Sequence, residues 1–90
     1  MRKVLFLDRD GVINKDVSYL NKISDLEWVD GAKEALAYAH SKGYDLIVVT
    51  NQSGVARGYY KESDVQILHD YMAHELDRSG APILHFYYCP

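Results

Sequence analysis

Two aspartates, Asp8 and Asp10, stand one residue apart where the apolar run Val4-Leu-Phe-Leu7 gives out. Side chains two apart on an extended segment point to the same side. The spacing therefore predicts two carboxylates at close range, and their mutual repulsion has to be offset. A divalent cation with oxygen ligands does this, and Mg²⁺ is the hard ion such donors select. A second polar stretch, Thr50-Asn-Gln-Ser-Gly-Val-Ala-Arg-Gly58, brings a different set of groups. Thr50 offers a hydroxyl donor, and Gly54 and Gly58 let backbone N–H groups approach an anion. Arg57 can add a charge-assisted bond. Each stretch alone has a plainer reading, as strand and turn caps for the aspartates and as an ordinary βα turn for the loop. Together they point to a site for an anion beside a divalent cation.

The elements that must position these groups are legible. The continuous apolar run at 3–8 suits a strand buried on both faces of a parallel sheet. Residues 12–28 are mixed and read as an irregular excursion. Asp30 reads as the N-cap of a helix whose apolar face is Ala32, Ala35, Leu36 and Ala39, with Gly43 as its C-terminal stop. Residues 44–49 form a second strand. Ser63-Asp-Val-Gln66 reads as a capping box opening a second helix, with Val65, Leu68, Met72 and Leu76 on one side. Residues 83–88 form a third strand. The order β-loop-α-β-α-β implies right-handed crossovers and a parallel sheet, an α/β fold of Rossmann-like type with three strands and two helices. Asp8 and Thr50 then fall at carboxyl ends of strands, where open α/β sheets bind ligands.

Composition narrows the function classes. Ninety residues make at most one domain, and 48% apolar content is that of a globular chain. A net charge of −3 with scattered charges leaves no basic footprint for nucleic acid. Arg2-Lys3 followed by four apolar residues is too short for a secretory leader, and no run is long enough to span a membrane. The single cysteine, Cys89, has no internal disulfide partner and fits a reducing cytoplasm. The histidines carry little: His69 and His74, five apart on a helix, do not share a face well, and His40 and His85 read as surface or strand residues. Tyr59-Tyr60 and Tyr87-Tyr88 read as packing.

Asp8-Arg-Asp10-Gly-Val-Ile-Asn14 with Asp16 and Tyr19, then Val48-Val-Thr-Asn-Gln-Ser-Gly-Val-Ala-Arg-Gly58, then Tyr87-Tyr-Cys-Pro90, closely resembles the D-glycero-D-manno-heptose-1,7-bisphosphate phosphatases of the haloacid-dehalogenase (HAD) superfamily. The resemblance runs over essentially the whole chain. Val12 is one departure, where the heptose enzymes often have Thr. The resemblance implies an Mg²⁺-dependent phosphatase of heptose and lipopolysaccharide biosynthesis, acting on a sugar phosphate in the cytoplasm. It makes Asp8 the nucleophile and Asp10 the general acid and base, both on Mg²⁺. Thr50 and Asn51 would hold the phosphoryl group, and Asp16, Tyr19, Gln52, Ser53 and Arg57 would line the sugar phosphate. Cys89 would join a Zn²⁺ loop only in a longer parent chain.

The resemblance also implies that residues 1–90 are the N-terminal part of one HAD-like domain, cut after the Cys-Pro of the zinc loop. The lysine and further acidic metal ligands that such a site uses lie later in the family. The chain alone is then expected to be marginally folded and weakly active, with a bare sheet edge prone to self-pairing. Two other readings stay open. One is a histidinol-phosphate or polynucleotide 3′-phosphatase. The other is a non-catalytic phosphate-binding or dimerisation module. Oligomeric state is not fixed by the sequence.

Overall fold

The computed structural model describes residues 3–90; Met1 and Arg2, the start of the leader-like stretch considered above, lie outside the described residues. Six elements follow in order: β1 (Lys3–Leu7), α1 (Ala32–Ser41), β2 (Tyr44–Asn51), the single turn α2 (Ser53–Ala56), α3 (Glu62–Arg78) and β3 (Ile83–Cys89). A 3-10 turn, Ile23–Asp25, lies in the excursion after β1. The expected three strands are present, and α2 and the 3-10 turn are additions that no periodicity announced.

The strands form one parallel sheet in the order β1-β2-β3. Both crossovers step the same way, so right-handed connections lay α1 and α3 on one face. On that face Leu46 and Val48 of β2 meet Leu36 of α1 and Leu68, Met72 and Leu76 of α3, with Ile13 and Leu20 of the excursion closing the side. The apolar positions of α3 recur every three or four residues, and this stripe is what the sheet buries.

The opposite face has no cover among the described residues. Val4 and Phe6 of β1, Val49 of β2 and Tyr87 of β3 are exposed there, Phe6 by 66%. The pairs Phe6–Ile47 and Val49–Tyr87 make this a continuous apolar surface. This corrects the expectation that β1 is buried on both faces. An unbroken apolar run announces a strand made for two layers, but not which layers these residues supply.

Two helix starts also differ from expectation. Gly31, at φ 79°, is the N-cap of α1, and Asp30 makes no side-chain cap bond to it. A left-handed turn is needed there, and glycine enters it without steric cost. At α3 the Asp64 carboxylate accepts the Lys61 N–H at 2.9 Å, so the helix starts ahead of the Ser63–Gln66 box. Gly43, at φ 94°, ends α1 as expected.

Candidate active site

The parallel register sets the site. Leu7 pairs with Val48 and Asn51 with Cys89, so the chain leaves all three strands at one carboxyl rim. Asp8 is the first residue past β1 and is exposed. Thr50 is near the end of β2 and is 5% exposed. Asp8 and Thr50, proposed from sequence as partners, are thus on the same edge.

Past Leu7 the chain bends at Arg9, so the alternation of an extended strand does not carry to Asp10. A tight turn fixes Asp10 instead. The Arg9 carbonyl accepts the N–H groups of Val12, Ile13 and Asn14 at 3.2, 2.8 and 3.2 Å. Asp10 Oδ1 takes Arg9 Nε at 3.1 Å, Arg9 Nη2 at 2.8 Å and Asn14 Nδ2 at 3.0 Å. The carboxylate is therefore clamped through one oxygen, and Oδ2 takes none of these bonds.

Arg9 is 1% exposed, and its charge is met from two sides. Asp10 takes one edge of the guanidinium, and His69 of α3 takes the other, with Arg9 Nη1 donating to Nε2 at 3.0 Å. An arginine has no acceptor, so His69 must present a bare Nε2 and carry its proton on Nδ1. Burial, reinforced by the Arg9 charge, lowers the His69 pKa to about 4 against the opposing pull of Asp10 and Asp70. Its ring stacks on Phe86 at 4.6 Å. This corrects the dismissal of His69, which is 3% exposed. Its place on the Val65, Leu68, Met72, Leu76 stripe was the signal that it turns inward. Arg9 had no comparable signal beyond standing between two aspartates.

A second buried network stands behind Thr50. Gln52 Nε2 donates to Thr50 Oγ1 at 2.9 Å, and Tyr60 donates its phenol proton to Gln52 Oε1 at 2.7 Å. Gln52 is 2% and Tyr60 7% exposed. Burial raises the Tyr60 pKa, only partly countered by Arg9, so the phenol remains a proton donor at neutral pH. Gly54 makes room for that ring: a β-carbon there would lie 2.6 Å from Tyr60 Cζ. Gly54 is thus small because the Tyr60 ring fills the place of its side chain.

Asn51, Ser53 and Arg57 are exposed on the same loop, and Asp16 is exposed in the excursion. Tyr19, at φ 57°, holds a left-handed conformation that costs a non-glycine residue about 1 kcal/mol. Its ring meets Tyr59 edge-on at 4.7 Å, which brings the excursion against the loop after α2. An open hollow of about 430 Å³ takes in Tyr19 with Ser24, Asp25 and Glu27, but neither Asp8, Asp10 nor Thr50 lines it. Cys89 is an exposed free thiol.

Among the described residues no three His, Cys, Asp or Glu side chains gather into a metal cage. A carboxylate and a backbone carbonyl still suit Mg²⁺, which keeps several waters and rarely takes an all-protein shell. The exposed Asp8 carboxylate and the Asp10 carbonyl are oxygen donors of that kind. A lone exposed thiol does not make a Zn²⁺ site. No described helix is long and apolar enough to cross a membrane.

No family model matches the chain. A D-glycero-alpha-D-manno-heptose-1,7-bisphosphate 7-phosphatase of Photorhabdus laumondii is 48% identical over 88 residues, covering 98% of this chain and 48% of that protein. The crystal structure of a D,D-heptose 1,7-bisphosphate phosphatase from B. bronchiseptica, complexed with magnesium and phosphate, superposes with a TM-score of 0.88 at 32% identity, covering 98% of this chain and 50% of that one. A structure from Mesorhizobium loti assigned to the HAD-like phosphatases gives 0.81 at 34% identity, covering 92% of this chain and 39% of that one. The chain spans about half the length of the curated relatives it matches. Along nearly all of its own length it is a homologue of the D-glycero-D-manno-heptose-1,7-bisphosphate 7-phosphatases, on an α/β fold of the haloacid-dehalogenase type.

Proposed function

We propose that these residues form the nucleophile-bearing, N-terminal part of a single HAD-like phosphatase domain whose substrate is a sugar phosphate monoester. The substrate class we assign is heptose 1,7-bisphosphate, losing its 7-phosphate. The observation that carries this reading is one rim holding both Asp8 with Asp10 and the Thr50 loop, in a chain 48% identical to a protein named for that reaction.

The uncatalysed hydrolysis of a phosphate monoester is among the slowest reactions known, in part because an anionic nucleophile meets an anionic ester. Bound Mg²⁺, held by Asp8, the Asp10 carbonyl and waters, would supply the positive charge that offsets this repulsion. Exposed Asp8 is free to attack phosphorus and form an aspartyl-phosphate. Asp10, clamped through Oδ1, has Oδ2 left to hand a proton to the leaving sugar oxygen and then to take one from water. Thr50 donates to a phosphoryl oxygen, and Asn51 helps place it. Asp16, Tyr19, Ser53 and Arg57 present polar and charged groups for the sugar and its other phosphate.

Phosphate release from heptose 1,7-bisphosphate with Mg²⁺ present tests this. The chain should turn over slowly, and Asp8→Asn should abolish the release together with any acyl-phosphate trapped by acid quench. Release that survives Asp8→Asn unchanged would remove Asp8 from the chemistry. A chain that binds phosphate and never releases it from an ester would be the binding module instead.

A further inference from the structure

We infer that Tyr60 and Gln52 are positioning residues that set the direction of the Thr50 hydroxyl, so that its proton faces the phosphoryl group. This rests on the reading of the rim as a phosphoryl site, and it moves Gln52 from contacting substrate to orienting the residue that does.

The argument is one of donors and acceptors. A hydroxyl has one proton and two lone pairs. Gln52 Nε2 donates into Thr50 Oγ1, so one lone pair is used and the proton remains to be given elsewhere. An amide could instead turn over and present its oxygen to Thr50, which would draw that proton inward. Tyr60 opposes this, because its phenol gives its proton to Gln52 Oε1, and a turned amide would take that acceptor away. Every member is nine-tenths or more buried, so water does not compete for these bonds. The Gly54 position leaves no room for a side chain because the Tyr60 ring fills it. Proton direction thus passes from Tyr60 to Gln52 and on to Thr50.

The test is a double-mutant cycle read by binding of inorganic phosphate with Mg²⁺ present, beside ¹⁵N spectra of the Gln52 side-chain amide. Tyr60→Phe keeps the ring against Gly54 and removes only the phenol oxygen. It should weaken phosphate binding about threefold to tenfold, the worth of one hydrogen bond, and speed exchange of the Gln52 amide protons. Thr50→Val should weaken binding by more. On that background Tyr60→Phe should cost nothing further, because its effect runs through the hydroxyl already removed. Gln52→Met, of similar volume, should repeat the Tyr60→Phe loss. Additive losses, or an affinity unmoved by Tyr60→Phe, would overturn the relay. A wild-type chain that protects the Gln52 amide but binds no phosphate would overturn the phosphoryl-site reading, and with it the purpose assigned to the relay.

Discussion

At the scale of single residues, the site depends on an arginine that no mechanism needs to touch. Arg9 is buried because Asp10 neutralises it and His69 accepts its remaining edge. Burial disfavours a charged His69, and a protonated ring would also face that guanidinium as a second cation, so its pKa falls to about 4. The sign of the consequence follows from linkage. The unfolded chain binds a proton at this position below its ordinary pKa of 6.5, and the folded chain declines it until about 4. Stability is therefore complete above about pH 6.5 and declines as pH falls toward 4, by about 2 kcal/mol between pH 7.5 and pH 5 from this residue. Urea titrations at those two pH values should show the decline in wild type and a flatter response in His69→Gln. Glutamine keeps an acceptor for Arg9 and cannot titrate. Equal declines in the two proteins would place the acid sensitivity elsewhere.

At the scale of elements, the strands and the apolar face of α3 were readable because each follows one period over several residues. Their starts were less so. The Ser63–Gln66 pattern satisfied the capping-box rule, yet Asp64 does the capping from inside the first turn. Asp30 met the rule for an N-cap, and a left-handed Gly31 took the position. A cap depends on where the chain arrives from, which a short window of sequence does not contain. The candidate site divides the same way. Asp8 and Thr50 could be set on one rim because they sit at strand ends, whereas the turn that fixes Asp10 and the Arg9–His69 contact, which joins residues sixty apart in sequence, follow no such pattern. The Asp64 cap gives a direct check. Asp64→Ala should lower stability by about 1 kcal/mol in thermal or urea unfolding, through the lost Lys61 bond and the lost charge at the start of α3. No measurable change would mean that α3 is held by its buried face alone.

At the scale of the whole molecule, both helices share one side of the sheet. The surface containing Val4, Phe6, Val49 and Tyr87 is exposed, and among the described residues no strand lies beside the outer edge of β1. Both features favour association of these 90 residues with themselves. Phe6→Lys places a charge on that surface without entering the core. It should reduce concentration-dependent light scattering, and it should leave unfolding free energy within about 0.5 kcal/mol of wild type, as for other exposed positions. A loss of several kcal/mol would show that Phe6 is packed in solution.

The end of β3 carries a last consequence. The Gln52 backbone N–H donates to the Cys89 carbonyl at 2.7 Å, and the Cys89 thiol is open to reagents. A dye placed on that sulfur would sit on the residue whose carbonyl bonds the Thr50 loop, the loop proposed to hold the phosphoryl group. On the proposed reading it would serve as a gauge of occupancy at the rim, brightening or dimming as added phosphate comes and goes, without altering any residue assigned to the chemistry.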